Sequence, residues 1–273
     1  MAALDGIHVT EWGAGGPAVV MIHGGPQGSP AGGSQEFAAQ RPLTQCGWRL
    51  VLPDRPGHGQ TPSRGPEDME VDAVWVTELL GDGAHLVGHS FGGCVALAAA
   101  ALRPEAVISL TLVEPPLFPV AAPDPDVAAL SEELHRLHGA TDMDPIPRLV
   151  AFSRAVAIPS PPSGTAPPAD VLARMGEGLS AMRPPDAWDC RPAVQTVADA
   201  GLPVLVITGG WGRAFGAVGD AVARITGGEH RVVASGHHFP HRRAEEFNAV
   251  LDAFMTRAGR TESEISGTDG SGG

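Results

Sequence analysis

Gly88-His89-Ser90-Phe91-Gly92 is the segment of this 273-residue chain with the most chemical content. A serine flanked two residues away on each side by glycine sits where an apolar run (His85-Leu-Val87) gives way to an alanine-rich helical pattern (Phe91 to Leu102). That is the strand-turn-helix context in which a tight turn raises a serine hydroxyl as a nucleophile. A hydroxyl attacks poorly at neutral pH, so the reading requires a base within hydrogen-bond reach and an acid that orients the base. The base is expected last in chain order. Ser235-Gly236-His237-His238-Phe239-Pro240-His241 follows the last apolar run and precedes the last helical pattern. His237, directly after Gly236, is read as the base, with His238 and His241 as alternatives. No metal is expected there: Pro240 breaks the spacing that would align His237 with His241, and no carboxylate or cysteine cluster accompanies them. His8, His85, His135, His138 and His230 are read as surface residues.

These groups need a rigid frame. Ala18 to Ile22, Arg49 to Leu52, His85 to Val87, Val107 to Val113, Val204 to Ile207 and Arg231 to Val233 are short apolar runs bounded by Gly, Pro or Asp and predict buried strands, with a further strand over Ile7 to Trp12. Helical patterns lie between several of them, at Glu36 to Gln45, Met69 to Leu80, Phe91 to Leu102, Gly216 to Ile225 and Arg242 to Arg257. Strand alternating with helix implies an α/β fold, a mainly parallel sheet covered on both faces. The alternation stops after Val113 and resumes at Leu202. A loop of that length without structure is improbable, so 118–201 is read as an inserted helical cap, with helices over Val127 to His138 and Val171 to Met182 and a proline-rich connector over Ile158 to Ala169. The core is then 1–117 with 202–258, and the small, polar stretch 259–273 reads as a disordered tail.

Bulk properties narrow the function. The formal charge of −13 comes from 31 acidic residues against 18 basic ones, all arginine, and disfavours nucleic acid and anionic membranes as partners. The apolar run from Cys94 to Leu102 is far short of a membrane span, and the first residues show no export signal. Cys46, Cys94 and Cys190 are widely spaced and form no Cys-x-x-Cys pair, so neither a disulfide framework nor a thiolate metal site is suggested and a cytoplasmic location is the default.

Two further motifs join the serine turn: His23-Gly24-Gly25-Pro26 after the second strand, and Asp54-Arg-Pro-Gly57-His-Gly59-Gln-Thr61 after the third. Together the three resemble the α/β-hydrolase superfamily over nearly the whole chain except the tail. The resemblance implies an oxyanion hole formed by the backbone N–H groups of Phe91 and Gly25. It makes His23 a structural hydrogen-bonding residue, Gly24 and Trp211 weak candidates for the substrate pocket, and Asp54 and Arg55 a local pair that shapes its loop. The acid departs from the common pattern. The usual seat after the strand at Val204 to Ile207 holds Gly212, whereas a second seat used in some relatives, after the strand that follows the serine helix, holds Glu114. Glu114 is therefore the expected acid, against a Ser-His dyad, a role for Glu114 at the cap hinge, or Asp220. The implied protein is a capped serine hydrolase of esterase or lactonase type. It acts on a small, fairly apolar ester or lactone and needs no cofactor or metal. A ligand-binding relative with little turnover and a carbon-carbon hydrolase or lyase are the alternatives.

Overall fold

The structure is a computed structural model that describes residues 4–162 and 164–267, with side chains to 260. Seven strands form one sheet: β1 (Val9–Trp12), β2 (Ala18–Ile22), β3 (Arg49–Pro53), β4 (Ala84–His89), β5 (Val107–Val113), β6 (Val204–Thr208) and β7 (Glu229–Val232). Their spatial order is β1-β3-β2-β4-β5-β6-β7, with β1 antiparallel to β3 and every other pair parallel. The order of strand addition reverses after β3, so that β3 and β4 flank β2 on opposite sides, and these parallel strands present their carboxyl ends at one crevice, where open α/β sheets bind ligands.

Successive strand side chains face opposite sides, and this divides the core in two. Ala18, Val20 and Ile22 of β2 pack on one side, with α2 (Met69–Leu79), α3 (Phe91–Leu102) and α8 (Arg213–Thr226). Val19 and Met21 pack on the other with Phe37, Leu43, Phe247 and Leu251, the last two from α9 (Ala244–Gly267). All five β2 residues are buried, and a buried Val or Ile contributes about 1.5–3 kcal/mol. Burial on both faces accounts for continuous apolar runs rather than alternation.

Helix ends follow from local chemistry. Asp68 caps α2 by accepting from the N–H groups of Glu70 and Val71, and Gly227, in the left-handed region, closes α8. The helix expected over Glu36 to Gln45 is instead a short α1 (Gly33–Glu36) followed by a 3-10 stretch (Ala38–Cys46) that contains Pro42. Proline removes a donor and crowds the preceding turn, which bars a regular α-helix here.

Between β5 and β6 the chain is helical, through α4 (Pro125–Gly139), α5 (Pro145–Ala155), α6 (Ala169–Ala181) and α7 (Arg191–Asp199). The sequence pattern shows α4 and α6. It hides α5 and α7, whose prolines at the first turn resemble loop punctuation but suit a position that needs no donor. α7 packs on α3 and α8 beside the sheet, whereas α5 and α6 pack on each other. α9 continues through residues expected to be disordered, where no proline intervenes among Arg260, Glu262 and Glu264; residues 268–273 lie outside the described residues. Among the described residues no helix is long and apolar enough to cross a membrane.

Candidate active site

Ser90 occupies the turn between β4 and α3 with φ 54° and ψ −126°, a conformation that non-glycine residues adopt only when the surroundings enforce it. The enforcement is visible. A Cβ on Gly88 would lie 2.3 Å from the Gly92 carbonyl oxygen, and one on Gly92 would lie 2.3 Å from that of Ile22. The Ser90 N–H donates to the carbonyl of Val113 at 2.8 Å, which sets the turn beside the end of β5.

Glu114 is the next residue after β5 and also has positive φ, 48°. Its N–H donates to the Ile207 carbonyl at 2.9 Å, and its Oε1 accepts the N–H of Gly209 just beyond β6. The carboxylate is thus fully buried between two strand tips. Its other oxygen, Oε2, lies 3.5 Å from Nδ1 of His238. That gap closes to a hydrogen bond with a few tenths of an ångström of movement, and such contacts are commonly loose before substrate binds.

The structure therefore brings Glu114 to His238 and not to His237. The two residues leave the turn in different directions. The His237 ring folds back on its own chain, with Nδ1 accepting the N–H of Phe239 at 3.1 Å and the carbonyl accepting the Ser235 hydroxyl at 2.6 Å. The His238 ring points inward, against Phe215, Trp211 and His89 at centroid distances of 5.2, 6.1 and 5.1 Å. Burial lowers the His238 pKa below that of a free imidazole, and the pull of Glu114 offsets this only in part. The ring is consequently neutral at pH 7 and able to take a proton.

The loop that carries His238 is fixed from behind. His89, the residue before Ser90, donates through Nε2 to the His238 carbonyl at 2.8 Å, and its Nδ1 lies 2.5 Å from Oε1 of Glu36. His241 stands 3.6 Å from the same carboxylate oxygen. Burial alone would raise the Glu36 pKa, but the two imidazoles outweigh it and hold the carboxyl well below the usual range. Sequence reading missed this group because Glu36 lies far along the chain from both histidines.

Gly24 packs on the serine: a Cβ there would lie 2.8 Å from Ser90 Cβ and 2.9 Å from the His89 carbonyl oxygen. Gly25 follows with φ +80°, and Phe91 opens the twelve-residue α3. Their N–H groups belong to the two backbone segments that flank Ser90, at a helix start and a glycine turn of the kind that receives negative charge. Trp211 is half-buried, with its ring 5.3 Å from Phe215 and its buried Nε1 without a protein partner.

Several polar residues depart from expectation. Asp54 accepts the N–H groups of Gly33 and Gln60, while Arg55 pairs with Glu67 and Asp72. Asp220 pairs with Nδ1 of His230 at 2.7 Å, and the other nitrogen of that ring meets the Thr208 hydroxyl at 2.8 Å, so the carboxylate is engaged there and not with His237 or His238. His85 and His138 are buried, not exposed; His85 bonds Ser109 and His138 bonds the Leu179 carbonyl.

A family profile described as alpha/beta hydrolase fold matches residues 17–139. Over 173 residues the chain is 30% identical to a pimeloyl-[acyl-carrier protein] methyl ester esterase of Neisseria meningitidis, covering 62% of this chain and 67% of that relative. It is 40% identical over 99 residues to an esterase of the same name from Methylococcus capsulatus, a match that spans 36% of this chain and only 37% of that relative. A solved hydrolase from Pseudomonas aeruginosa superposes with a TM-score of 0.68 at 22% identity, covering 93% of this chain and 97% of that one. The chain belongs to the alpha/beta hydrolase fold family.

Proposed function

We propose that the protein is a serine hydrolase that cleaves an ester or lactone of a small, fairly apolar molecule through an acyl-enzyme. The observation that carries this is the placement of Ser90 on an enforced positive-φ turn beside a strand tip where a fully buried Glu114 faces the neutral ring of His238. Ser90 Oγ attacks the substrate carbonyl carbon as its proton passes to Nε2 of His238. Glu114 holds the opposite nitrogen, Nδ1, in its protonated form and stabilises the imidazolium as it appears. The N–H groups of Phe91 and Gly25 receive the charge on the carbonyl oxygen, an interaction worth about 3–4 kcal/mol per donor in comparable sites. The tetrahedral adduct collapses when His238 returns the proton to the departing oxygen. Water then attacks the acyl-enzyme by the same route in reverse and frees the acid and Ser90.

In this reading α4 to α6 form the cap, and Trp211 and Phe215 contribute an apolar wall. No step requires a cofactor. The test is labelling with a fluorophosphonate, read by intact mass and peptide mapping. One adduct per chain at Ser90, with hydrolysis of short p-nitrophenyl esters that Ser90→Ala abolishes, is the expected result. A folded sample that takes no label and binds acyl ligands saturably without turnover would establish a binding protein instead.

A further inference from the structure

Arg55 is a fully buried arginine, and its contacts converge on one short piece of backbone. Its Nη1 donates to the carbonyls of His23 at 3.4 Å and Gly25 at 3.3 Å, the two that bracket the Gly24–Gly25 peptide. Its own backbone N–H donates to His23 Nε2 at 2.9 Å, so the ring proton sits on Nδ1, which donates to the Gly24 carbonyl at 2.9 Å. A trans peptide directs its C=O and N–H oppositely. Holding the Gly24 carbonyl therefore aims the N–H of Gly25. The guanidinium also stacks on the Phe91 ring, 4.5 Å from its centroid. One side chain thus touches the residues on both sides of the proposed oxyanion hole.

The charge is balanced by two carboxylates. Nε donates to Asp72 Oδ2 at 3.2 Å and Nη2 to Glu67 Oε1. Glu67 reaches further: its Oε2 accepts the N–H of Gln27 at 2.8 Å, in the same glycine loop. Its backbone donates to Ala181 at 2.9 Å and accepts from Arg183 at 2.8 Å, at the end of α6. A buried ion network is no more stabilising than well-packed apolar residues would be. What a guanidinium adds is a rigid planar fork of donors, which a lysine ammonium cannot imitate.

We propose that Arg55 is a positioning residue for the oxyanion hole: its guanidinium fixes the Gly24–Gly25 peptide and the Phe91 segment in one frame, and Glu67 ties that frame to the 181–183 segment. The inference rests on the assignment of Ser90, Gly25 and Phe91 given above. It acts on the transition state and leaves ground-state binding alone.

The experiment compares wild type, Arg55→Lys and Glu67→Gln. Thermal melting establishes folding, p-nitrophenyl butyrate gives kcat and KM, and an alkyl trifluoromethyl ketone, which forms a tetrahedral adduct with an active serine, gives Ki. Arg55→Lys is expected to lower kcat by about 10²-fold, the scale of one lost oxyanion donor, with KM nearly unchanged. The Ki should rise in proportion to the fall in kcat/KM, whereas simple loss of folded protein would leave Ki untouched. Glu67→Gln should move both quantities along the same line by a smaller factor, and it carries the test if Arg55→Lys does not fold. A folded variant whose kcat falls while Ki stays at the wild-type value overturns the inference, as does one that leaves both unchanged. If wild type neither hydrolyses the ester nor takes the fluorophosphonate, the hydrolase assignment fails and this inference falls with it.

Discussion

His237 and His238 are neighbours in sequence and opposites in environment. The first is tied to its own turn, the second is buried against Glu114. His238→Ala should lose about 10⁴-fold or more in kcat, while His237→Ala keeps most of its activity; the reverse pattern in a p-nitrophenyl ester assay would return the base to His237. Glu114→Ala should cost about 10⁴-fold in kcat, and a folded variant with near-normal turnover would leave a Ser-His dyad. Burial depresses the His238 pKa, so the proposed base takes up its proton at lower pH than a free imidazole does. The acid limb of the kcat/KM profile should therefore have its midpoint on the acid side of the ordinary histidine value; a midpoint at or above that value would mean that another group limits the rate. The serine was readable in the sequence because glycines two residues to either side are a local requirement. Which histidine meets Glu114 was not, since the direction in which each of two adjacent histidines leaves a turn depends on contacts at the ends of β4 and β5, distant in the chain.

At the scale of elements, the strands were legible and two helices were not. Val107–Val113 stands out as an apolar run interrupted only by the small polar Ser109 and Thr111, because β5 is covered on both sides and buries even these two. α5 and α7 are concealed by prolines that belong to their first turns. The turn between β4 and α3 holds Ser90 at positive φ, and it depends on missing side chains. Gly92→Ala would press a methyl group into the carbonyls of Ile22 and His23, at 2.3 and 2.4 Å. A loss of about 3 kcal/mol is expected, measurable as a lower urea midpoint. An unchanged midpoint would mean that β2 gives way more easily than its buried pairing implies. Neither the strand pattern nor the turn motif foretells the Arg55 network, because Glu67 and Asp72 stand 12 and 17 residues away in the chain and meet the guanidinium only in the folded core.

For the whole molecule, acid stability depends on histidines that the fold keeps neutral. Burial lowers His85 to about 4, and burial with the nearby Arg55 lowers His23 to about 4. The unfolded chain takes up these protons near pH 6.5 and the folded chain does not, so stability is full above 6.5 and drains away as pH falls toward 4. Each group contributes about 3 kcal/mol to that loss. His85→Asn, remote from the serine, should flatten the decline by that amount; an unaltered slope in urea titrations at pH 7, 5.5 and 4 would place the acid sensitivity elsewhere. Burial of polar groups on this scale is not a property that composition reveals, since the same histidines in an acidic chain suit a solvated surface equally well.

The absence of tyrosine from the chain means that its near-ultraviolet emission comes from tryptophan alone. Trp211 stands 6.1 Å from His238 and Trp48 stands 5.1 Å from His85. An imidazolium draws electron density from an excited indole and dims it, so each pair is a small photometer for one proton. The light emitted by Trp48 should fall only as pH approaches 4, and that of Trp211 should follow the base itself. Subtracting the emission of a Trp211→Phe variant leaves a signal that reports the charge on His238 in the resting protein, with no dye attached and no substrate added.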